Sequence, residues 1–244
     1  METLKDRIRH NIEAARDAIE RAAQSVGRRG SEVRMVIVTK THPPEVVEAV
    51  IHAGGRILGE NYPEETLPKM MALSSYQGVE WHMIGHVQSR KSAIVAEHFD
   101  MIESLDSLRL AERLDRQVAE LRGGARLPAL LEFNVGGEES KHGWRADDEN
   151  AWEGLLPEME RLMQLRHLSI EGLMTMPPLY DDPEASRPYF VRLRKLQDFL
   201  QKRFPQAHLT ELSMGTSADY PAAVQEGATL VRIGRAILGP RLNR

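Results

Sequence analysis

The sequence predicts an α/β protein: a single-domain (β/α)8 TIM barrel preceded by one extra helix. Three observations carry this prediction. Strand-like and helix-like segments alternate along the chain, eight strand segments can be counted, and a length of 244 residues suits one barrel. Alternating strands and helices indicate right-handed crossovers and a parallel sheet. No linker rich in glycine, serine or proline divides the chain, so we expect one domain over residues 1–244.

The extra helix is expected over residues 4–23. Apolar residues recur there at a helical period, from Leu4 through Ile8 and Ile12 to Ile19, and charged residues lie between them. A pair of glycines follows and ends the helix.

Eight apolar runs after this helix are interpreted as strands, and the amphipathic stretches between them as helices. The predicted strands cover 33–40, 56–61, 79–86, 100–106, 127–135, 170–176, 208–215 and 230–238. The predicted helices cover 45–53, 64–73, 89–98, 108–121, 149–165, 184–204 and 220–226.

Composition excludes several classes of protein. The 32 basic residues are outnumbered by 36 acidic ones, so a nucleic-acid partner is not expected. The absence of cysteine excludes disulfides and thiolate chemistry. No stretch resembles a signal peptide or a membrane span, so we expect a cytoplasmic protein that does not enter a membrane. We also expect a monomer.

Lys40 ends the first predicted strand, in VRMVIVTKTHPPEVVEAV. The active sites of these barrels lie at the carboxyl ends of the strands, so Lys40 is expected at the mouth. It either marks where the strand meets solvent or supplies an amine that captures a carbonyl compound as a Schiff base. Asn61 ends the second predicted strand, and it either binds a ligand or caps the next helix.

The last two predicted strands end in glycine and hydroxyl residues, in ELSMGTSADYPAAVQEGATLVRIGRAILGPR. Barrels often bind phosphate here, because glycine admits close approach and free helix-terminal N–H groups point at the anion. The alternative is that the hydroxyls only cap a helix and the glycines only form turns. The candidate phosphate ligands are Ser213, Thr216, Ser217, Gly234 and Arg235.

Arg232 lies inside the apolar segment LVRIG, where an unpaired charge is costly. It either pairs with a carboxylate in the barrel or binds a ring nitrogen or carboxylate of a ligand. An amine, a phosphate site and a buried cation together fit pyridoxal 5′-phosphate (PLP). A phosphosugar aldolase or isomerase fits the same three groups.

Five stretches, in order from about residue 33 to 239, resemble the pyridoxal phosphate homeostasis protein family. They are VTKTHPPEVVEAVIHAGGRILGENYPEE, WHMIGHVQSRK, FNVGGEESKHGW, GLMTM and LSMGTSADYPAAVQEGATLVRIGRAILG. The resemblance implies a barrel related to the N-terminal domain of alanine racemase, with PLP held on Lys40. It also implies phosphate contacts from Ser217, Gly234 and Arg235, and it matches Arg232 to the arginine that faces the pyridine nitrogen.

This chain departs from the usual family pattern at three positions. Thr39 stands where serine is usual, Thr216 where methionine is common, and Arg235 where a small residue is more frequent. None of these changes removes a needed group. Arg235 either adds a charge to the phosphate site or points to solvent.

The role implied by the resemblance is to hold and hand over PLP in vitamin B6 homeostasis, with apo PLP enzymes as candidate recipients. A permanent cation at Arg232 disfavours protonation of the pyridine nitrogen, so efficient catalysis is not expected. The alternative is a PLP-dependent amino-acid racemase or related lyase of the alanine racemase type. Such a racemase takes a second base, a tyrosine, from another domain. Tyr62 is the candidate substitute for it, and packing at a helix start is the favoured interpretation of this residue.

Two other features were weighed. His82 and His86 lie on one predicted strand, roughly 13 Å apart, which is too far for both to bind one ion, so no metal site is predicted. The loop over residues 136–144 either closes over the mouth and touches a ligand or is a solvated surface loop.

Overall fold

The computed structural model describes residues 3–240 and contains a parallel sheet of nine strands. Each strand is rich in β-branched or apolar residues, as strands buried on both faces require. They are β1 (Arg34–Val38), β2 (Ile57–Glu60), β3 (Glu80–Met83), β4 (Met101–Leu105), β5 (Leu127–Asn134), β6 (Trp144–Arg145), β7 (Leu168–Met174), β8 (Glu211–Thr216) and β9 (Leu230–Ile233).

Eight of these strands close into a barrel in the order β4-β3-β2-β1-β9-β8-β7-β5, with β4 pairing back to β5. The closed eight-stranded parallel barrel confirms the predicted fold. β6 lies outside the ring. It pairs with the carboxyl end of β5, where Trp144 is opposite Phe133. The sequence analysis did not predict this two-residue strand, because it is too short to show a period.

Helices cover the outside of the barrel. They are α1 (Leu4–Gln24), α2 (Pro44–His52), α3 (Pro63–Ala72), α4 (Ser92–His98), α5 (Leu108–Leu121), α6 (Leu156–Met163), α7 (Arg187–Arg203), α8 (Tyr220–Gln225) and α9 (Arg235–Leu238). α1 precedes the first strand, α9 follows the last, and the others lie between strands. Short 3₁₀ segments precede α4, α6 and α7, where continuous helices were predicted. Within residues 3–240, every helix is too short or too polar to span a bilayer.

The extra N-terminal helix α1 begins with a capping box, in which the Thr3 hydroxyl and the Asp6 side chain each pair with the other's backbone. Its apolar stripe, which includes Ile8, Ile12 and Ile19, is buried. The helix packs against α2, α8 and α9 outside the barrel. Asn11 fixes it there by donating to the carbonyl oxygen of Ile237 at 2.9 Å.

Alternation along β1 and β9 decides which side chains enter the barrel. Val36 and Leu230 belong to a small apolar cluster inside the ring, whereas Ile37 and Val231 belong to the large core between sheet and helices. Because successive side chains of a strand point to opposite faces, Arg232 shares the inner face with Leu230. The apolar cluster fills the barrel below the mouth.

Candidate functional site

Four neighbouring strands bring most of the predicted ligand residues to one arc of the barrel mouth. The order β2-β1-β9-β8 places the carboxyl end of each strand beside the next. Asn61 follows β2, Lys40 follows β1, Gly234 follows β9 and Ser217 follows β8. We call this set of four residues the lysine arc.

Lys40 lies two residues beyond β1. Continuing the alternation from Val36 through Val38 assigns Lys40 to the inner face. Gly234 lies against the same strand, since a β-carbon at residue 234 would come within 3.2 Å of Val38 Cβ. Thr41 then turns the chain with φ of +66°, a left-handed conformation that is strained for a β-branched residue. The backbone after Lys40 is therefore held by its surroundings.

A buried ion pair between Lys69 and Glu60, on the outer side of β1, helps to fix the backbone near Lys40. Lys69 of α3 donates to Glu60 Oε1 at 2.7 Å and to the carbonyl oxygen of Thr39 at 3.1 Å. The Thr39 hydroxyl donates to the same carboxylate oxygen at 2.8 Å. Burial raises the pKa of Glu60, and Lys69 and Thr39 offset that effect only in part. Lys69 thus anchors the peptide group that leads into Lys40. We call Thr39, Glu60 and Lys69 the outer clamp.

Asn61 lies at the end of β2, next in the chain to the outer clamp. A β-carbon at Gly85 would come within 2.9 Å of Asn61 atoms, so a glycine there lets the two chain segments touch. Asn61 Oδ1 is buried and has no hydrogen-bond partner among the described residues. A buried acceptor without a partner is costly, and a bound donor would satisfy it.

The candidate phosphate residues divide into two groups. The Ser217 hydroxyl accepts from the N–H of Gly234 at 3.1 Å and from the N–H of Ala236 at 3.2 Å, which ties the β8 and β9 loops together. Thr216 instead bonds within its own turn, because its N–H and hydroxyl both donate to Asp219 Oδ1. Arg235 is exposed.

Arg232 lies inside the barrel with 3% of its surface exposed. Its guanidinium donates to the Ser213 hydroxyl, to the carbonyl oxygen of Thr175 at 2.8 Å and to the sulfur of Met176 at 3.0 Å. The Ser213 hydroxyl in turn donates to Glu103 Oε2 at 2.5 Å. Ser213 therefore lies below the mouth and links Arg232 to a carboxylate.

That carboxylate gives Arg232 the ion-pair partner that the sequence left open, because Glu103 Oε2 lies 3.9 Å from the guanidinium. Glu103 also binds His82 Nδ1 at 2.7 Å. Burial raises the pKa of Glu103, but the hydrogen bonds and charges of His82 and the charge of Arg232 bring it below its usual value. Burial also opposes protonation of His82, yet Glu103 and Glu80 raise its pKa to about 9. We call Arg232, Ser213, Glu103 and His82 the inner network.

The opposite arc of the mouth carries a second polar group. His86 follows β3, Asp106 follows β4 and His142 lies in the loop after β5. Glu132 on β5 points toward these residues: burial and the charge of Asp106 raise its pKa to about 7, against the opposing effect of Arg232. His86 binds Asp106 at 2.5 Å and stacks on His142 with ring centroids 4.0 Å apart.

The loop over residues 136–144 is folded against β5. Asn134 accepts from the N–H of Gly137 at 2.9 Å and donates to the carbonyl oxygen of Glu138 at 2.7 Å. Gly137 and Gly143 have φ of +73° and +92°, which glycine adopts without strain. Because His142 stacks on His86, the loop lies at the rim of the mouth.

Tyr62 lies at the start of α3, where its carbonyl oxygen accepts from Glu65 and Thr66. Its side chain is 44% exposed. Tyr62 therefore lies at a helix start, as expected from the sequence. Its ring, however, is largely exposed and is not packed into the core.

Sequence reasoning missed Glu60, Lys69, His82 and Glu103 as partners. A signal was present for each carboxylate, because Glu60 and Glu103 interrupt buried strands, where an ionised group requires a partner. The partners themselves lie 9 and 21 residues away, on other elements, and only the fold brings them together.

The fold and the mouth together define a class: a (β/α)8 barrel with a lysine, a buried arginine and a glycine-hydroxyl loop pair on neighbouring strands. The family model described as "Alanine racemase, N-terminal domain" matches residues 5–241. The chain belongs to the pyridoxal phosphate homeostasis protein family. A member from Escherichia coli strain K12 is 38% identical over 239 residues, covering 96% of this chain and 97% of the relative. A member from Aquifex aeolicus is 37% identical over 225 residues, covering 92% and 94%.

Solved structures agree with this assignment. PipY of Synechococcus elongatus, solved with PLP bound, is 36% identical and superposes with a TM-score of 0.77, covering 91% of this chain and 100% of that one. Alanine racemase of Clostridium difficile superposes with a TM-score of 0.68 at 14% identity, covering 95% of this chain and 59% of that one. The second similarity concerns the fold alone.

Proposed function

We propose that the chain binds PLP at the lysine arc, covalently through the amine of Lys40, and serves PLP homeostasis without efficient catalysis. The observation that carries the proposal is the convergence of Lys40, Asn61, Gly234 and Ser217 on four adjacent strand ends, beside the buried Arg232. The family relatives are named for PLP homeostasis, and a similar structure was solved with PLP bound.

The residues present fit this cofactor. The unpartnered Asn61 Oδ1 could accept one hydrogen bond from a ligand donor, and the N–H groups of Gly234 and Ala236 would suit a phosphate oxygen. Ser217 adds a hydroxyl at the same place. Ser213 and Thr216 would act on the cofactor indirectly, because their hydroxyls already bond to Glu103 and Asp219. Arg235 supplies an exposed charge at the rim.

When bound, PLP supplies an electrophilic aldehyde that condenses with an amine. The protein's part is to present that amine, and the outer clamp fixes the Thr39 carbonyl next to it. Arg232 keeps a permanent cation inside the barrel and opposes a further positive charge beside it, so the site is a weak stabiliser of carbanions. This combination suits holding and release of PLP more than turnover of amino acids.

The test is to add PLP to the purified full chain, reduce with borohydride and map the adduct by mass spectrometry. We expect one modified peptide, containing Lys40, and its loss in Lys40→Ala. Lys195→Ala is the matched control, because Lys195 is an exposed lysine in an ion pair with Glu149, and it should keep the adduct. Adducts spread over several lysines, or retained in Lys40→Ala, would overturn the proposal.

A second measurement separates a carrier from a racemase or lyase. In heavy water, an enzyme of that type would exchange the α-proton of an amino acid at a rate that depends on Lys40. We expect the PLP-loaded chain to show only slow exchange, and rapid transfer of PLP to an apo PLP enzyme. Fast exchange at physiological amino-acid concentrations would favour the enzyme.

A further inference from the structure

Three side chains with metal-binding atoms meet on the arc of the mouth opposite the lysine arc. His86 comes from the loop after β3, Asp106 from the loop after β4, and His142 from the loop after β5. One ligand atom of each lies within 4.8 Å of the other two. The sequence analysis paired His86 with His82 and predicted no metal. His82 instead points into the barrel and binds Glu103, and the loops supply two other partners for His86.

The carboxylate of this group is held in place by its own contacts. Asp106 Oδ1 accepts from the Ser107 hydroxyl at 3.0 Å, and Oδ2 binds His86 Nδ1 at 2.5 Å. The Asp106 side chain is 7% exposed, whereas that of His86 is 42% exposed. One ligand is thus fixed at the bottom of the group, and the other side is open to an ion from solvent.

The two imidazoles are stacked face to face, with ring centroids 4.0 Å apart. Their ring planes differ by 11°. An imidazole–carboxylate bond accounts for His86 and Asp106, but it does not account for the second imidazole. His142 is placed by a loop that is fixed independently, through the bonds of Asn134 and the pairing of Trp144 with β5.

We propose that His86, Asp106 and His142 bind a divalent transition-metal ion of the zinc class. Two imidazoles and one carboxylate suit Zn²⁺, Co²⁺ or Ni²⁺ better than Mg²⁺ or Ca²⁺, which prefer oxygen ligands. Bond lengths of about 2.0–2.2 Å place the donors of one tetrahedral ion roughly 3.3 Å apart. The 2.5 Å separation of His86 Nδ1 and Asp106 Oδ2 would have to widen, and the longer separations, of up to 4.8 Å, would have to shorten; rotation of the two exposed imidazoles allows both changes. The fourth position faces solvent.

Such an ion would connect the loops that follow β3, β4 and β5. It would fasten the loop over residues 136–144 to the rim through His142, while the lysine arc uses the loops after β1, β2, β8 and β9. The two sites share no residue. We therefore expect the metal to bind whether or not PLP binds at Lys40.

The test is titration of the untagged full chain with ZnCl₂ by calorimetry, and with CoCl₂ by visible absorption. We expect one saturable equivalent and Co²⁺ bands of intensity typical of four-coordination. His142→Ala should weaken binding by at least about tenfold. His98→Ala is the matched control, since His98 is an exposed histidine beside Glu97, and it should bind like the unaltered chain. Equal affinity of His142→Ala and the unaltered chain, or no saturable binding at micromolar protein, would overturn the proposal.

Trypsin gives a second measurement, which detects the metal by its effect on the loop and not by a binding isotherm. Lys141 adjoins His142 in the loop, so Zn²⁺ should slow cleavage after Lys141 in the unaltered chain and leave His142→Ala unaffected. The Lys40→Ala variant should show the same protection, which separates this site from the PLP proposal. Cleavage at the same rate with and without Zn²⁺ in the unaltered chain would contradict the site.

Discussion

Lys69 and Arg232 are both buried cations, but they lie on opposite faces of the barrel sheet. Lys69 lies on α3 and faces β1 and β2, where its ammonium donates to the Glu60 carboxylate and to the carbonyl oxygen of Thr39. Arg232 points into the barrel, where its hydrogen bonds go to neutral groups and the Glu103 carboxylate is 3.9 Å away. Lys69 thus lies within hydrogen-bond distance of its carboxylate partner. Arg232 has a more distant carboxylate partner and lies on the inner face that leads to the mouth.

This difference teaches that burial alone does not identify a functional charge. The outer clamp has no access to the mouth and acts through the Thr39 carbonyl, whereas Arg232 shares the inner face with the lysine arc. A charge whose hydrogen bonds are all made to neutral groups can exchange them for a ligand at little cost. The four predictions below test that contrast.

The largest effect is expected for Lys69→Met. Removal of the ammonium leaves Glu60 buried without its ion-pair partner, and breaking a buried pair costs about 3–5 kcal/mol. Urea denaturation measures the free energy of unfolding. Lys195→Met, which breaks only the exposed pair with Glu149, should cost less than about 1 kcal/mol. If the two variants lose the same stability, the outer clamp is not a structural pair.

Arg232→Met should cost less, about 2–4 kcal/mol, because His82 still compensates the charge of Glu103. The same denaturation experiment applies. The variant should also weaken PLP binding, measured by equilibrium dialysis, whereas Lys69→Met should weaken it less, because Lys69 reaches Lys40 only through the carbonyl oxygen of Thr39. A stability loss larger than that of Lys69→Met would reverse the comparison.

The inner network should also make stability fall with rising pH. The pKa of His82 is about 9 in the folded chain against its usual 6.5, so its protonation stabilises the fold fully below pH 6.5. That contribution is lost as the pH rises through 9. At about 1.4 kcal/mol for each pKa unit, the loss amounts to at most about 3.5 kcal/mol.

The measurement is the free energy of unfolding at several pH values between 6 and 10. His82→Gln should flatten the dependence, and the exposed control His98→Gln should not change it. An equally steep dependence in His82→Gln would assign the effect to other groups.

The smallest effect is expected for Ser217→Ala. Loss of the hydroxyl leaves the N–H groups of Gly234 and Ala236 without that acceptor and should cost about 1 kcal/mol. Ser74→Ala is the control, because the Ser74 hydroxyl is exposed and donates to the Met71 carbonyl oxygen, and it should stay within about 0.5 kcal/mol. A larger cost at Ser74 than at Ser217 would contradict the role of the Ser217 hydroxyl.

The barrel was predictable because its information is local. Runs of apolar residues, amphipathic stretches and punctuating glycines recur eight times, and each repeat carries its own signal. Lys40 and Gly234 could be assigned to the mouth from the sequence, because the mouth always lies at the carboxyl ends of a barrel's strands. Side chains that pair across elements, such as Lys69 with Glu60, could not be found in this way.

The clamp and the histidine group show why. Lys69 stands on a helix among other charged residues, and nothing in the sequence distinguishes it from an exposed lysine. His86 and His142 are separated by 56 positions, and they meet only because β4 pairs with β5 and closes the ring. Register and closure are properties of the whole sheet, so contacts across the ring need the structure.

The Ser217 hydroxyl has a consequence for how firmly this protein can hold an anion. It already accepts from the two N–H groups that the proposed phosphate would use. An incoming phosphate therefore competes with a built-in acceptor, and a departing one is replaced by it at once. The net free energy gained when the phosphate binds would be reduced, and the barrier to its dissociation would fall as well. If PLP binds as proposed, we expect its phosphate to dissociate readily, because the Ser217 hydroxyl can satisfy the two N–H groups again.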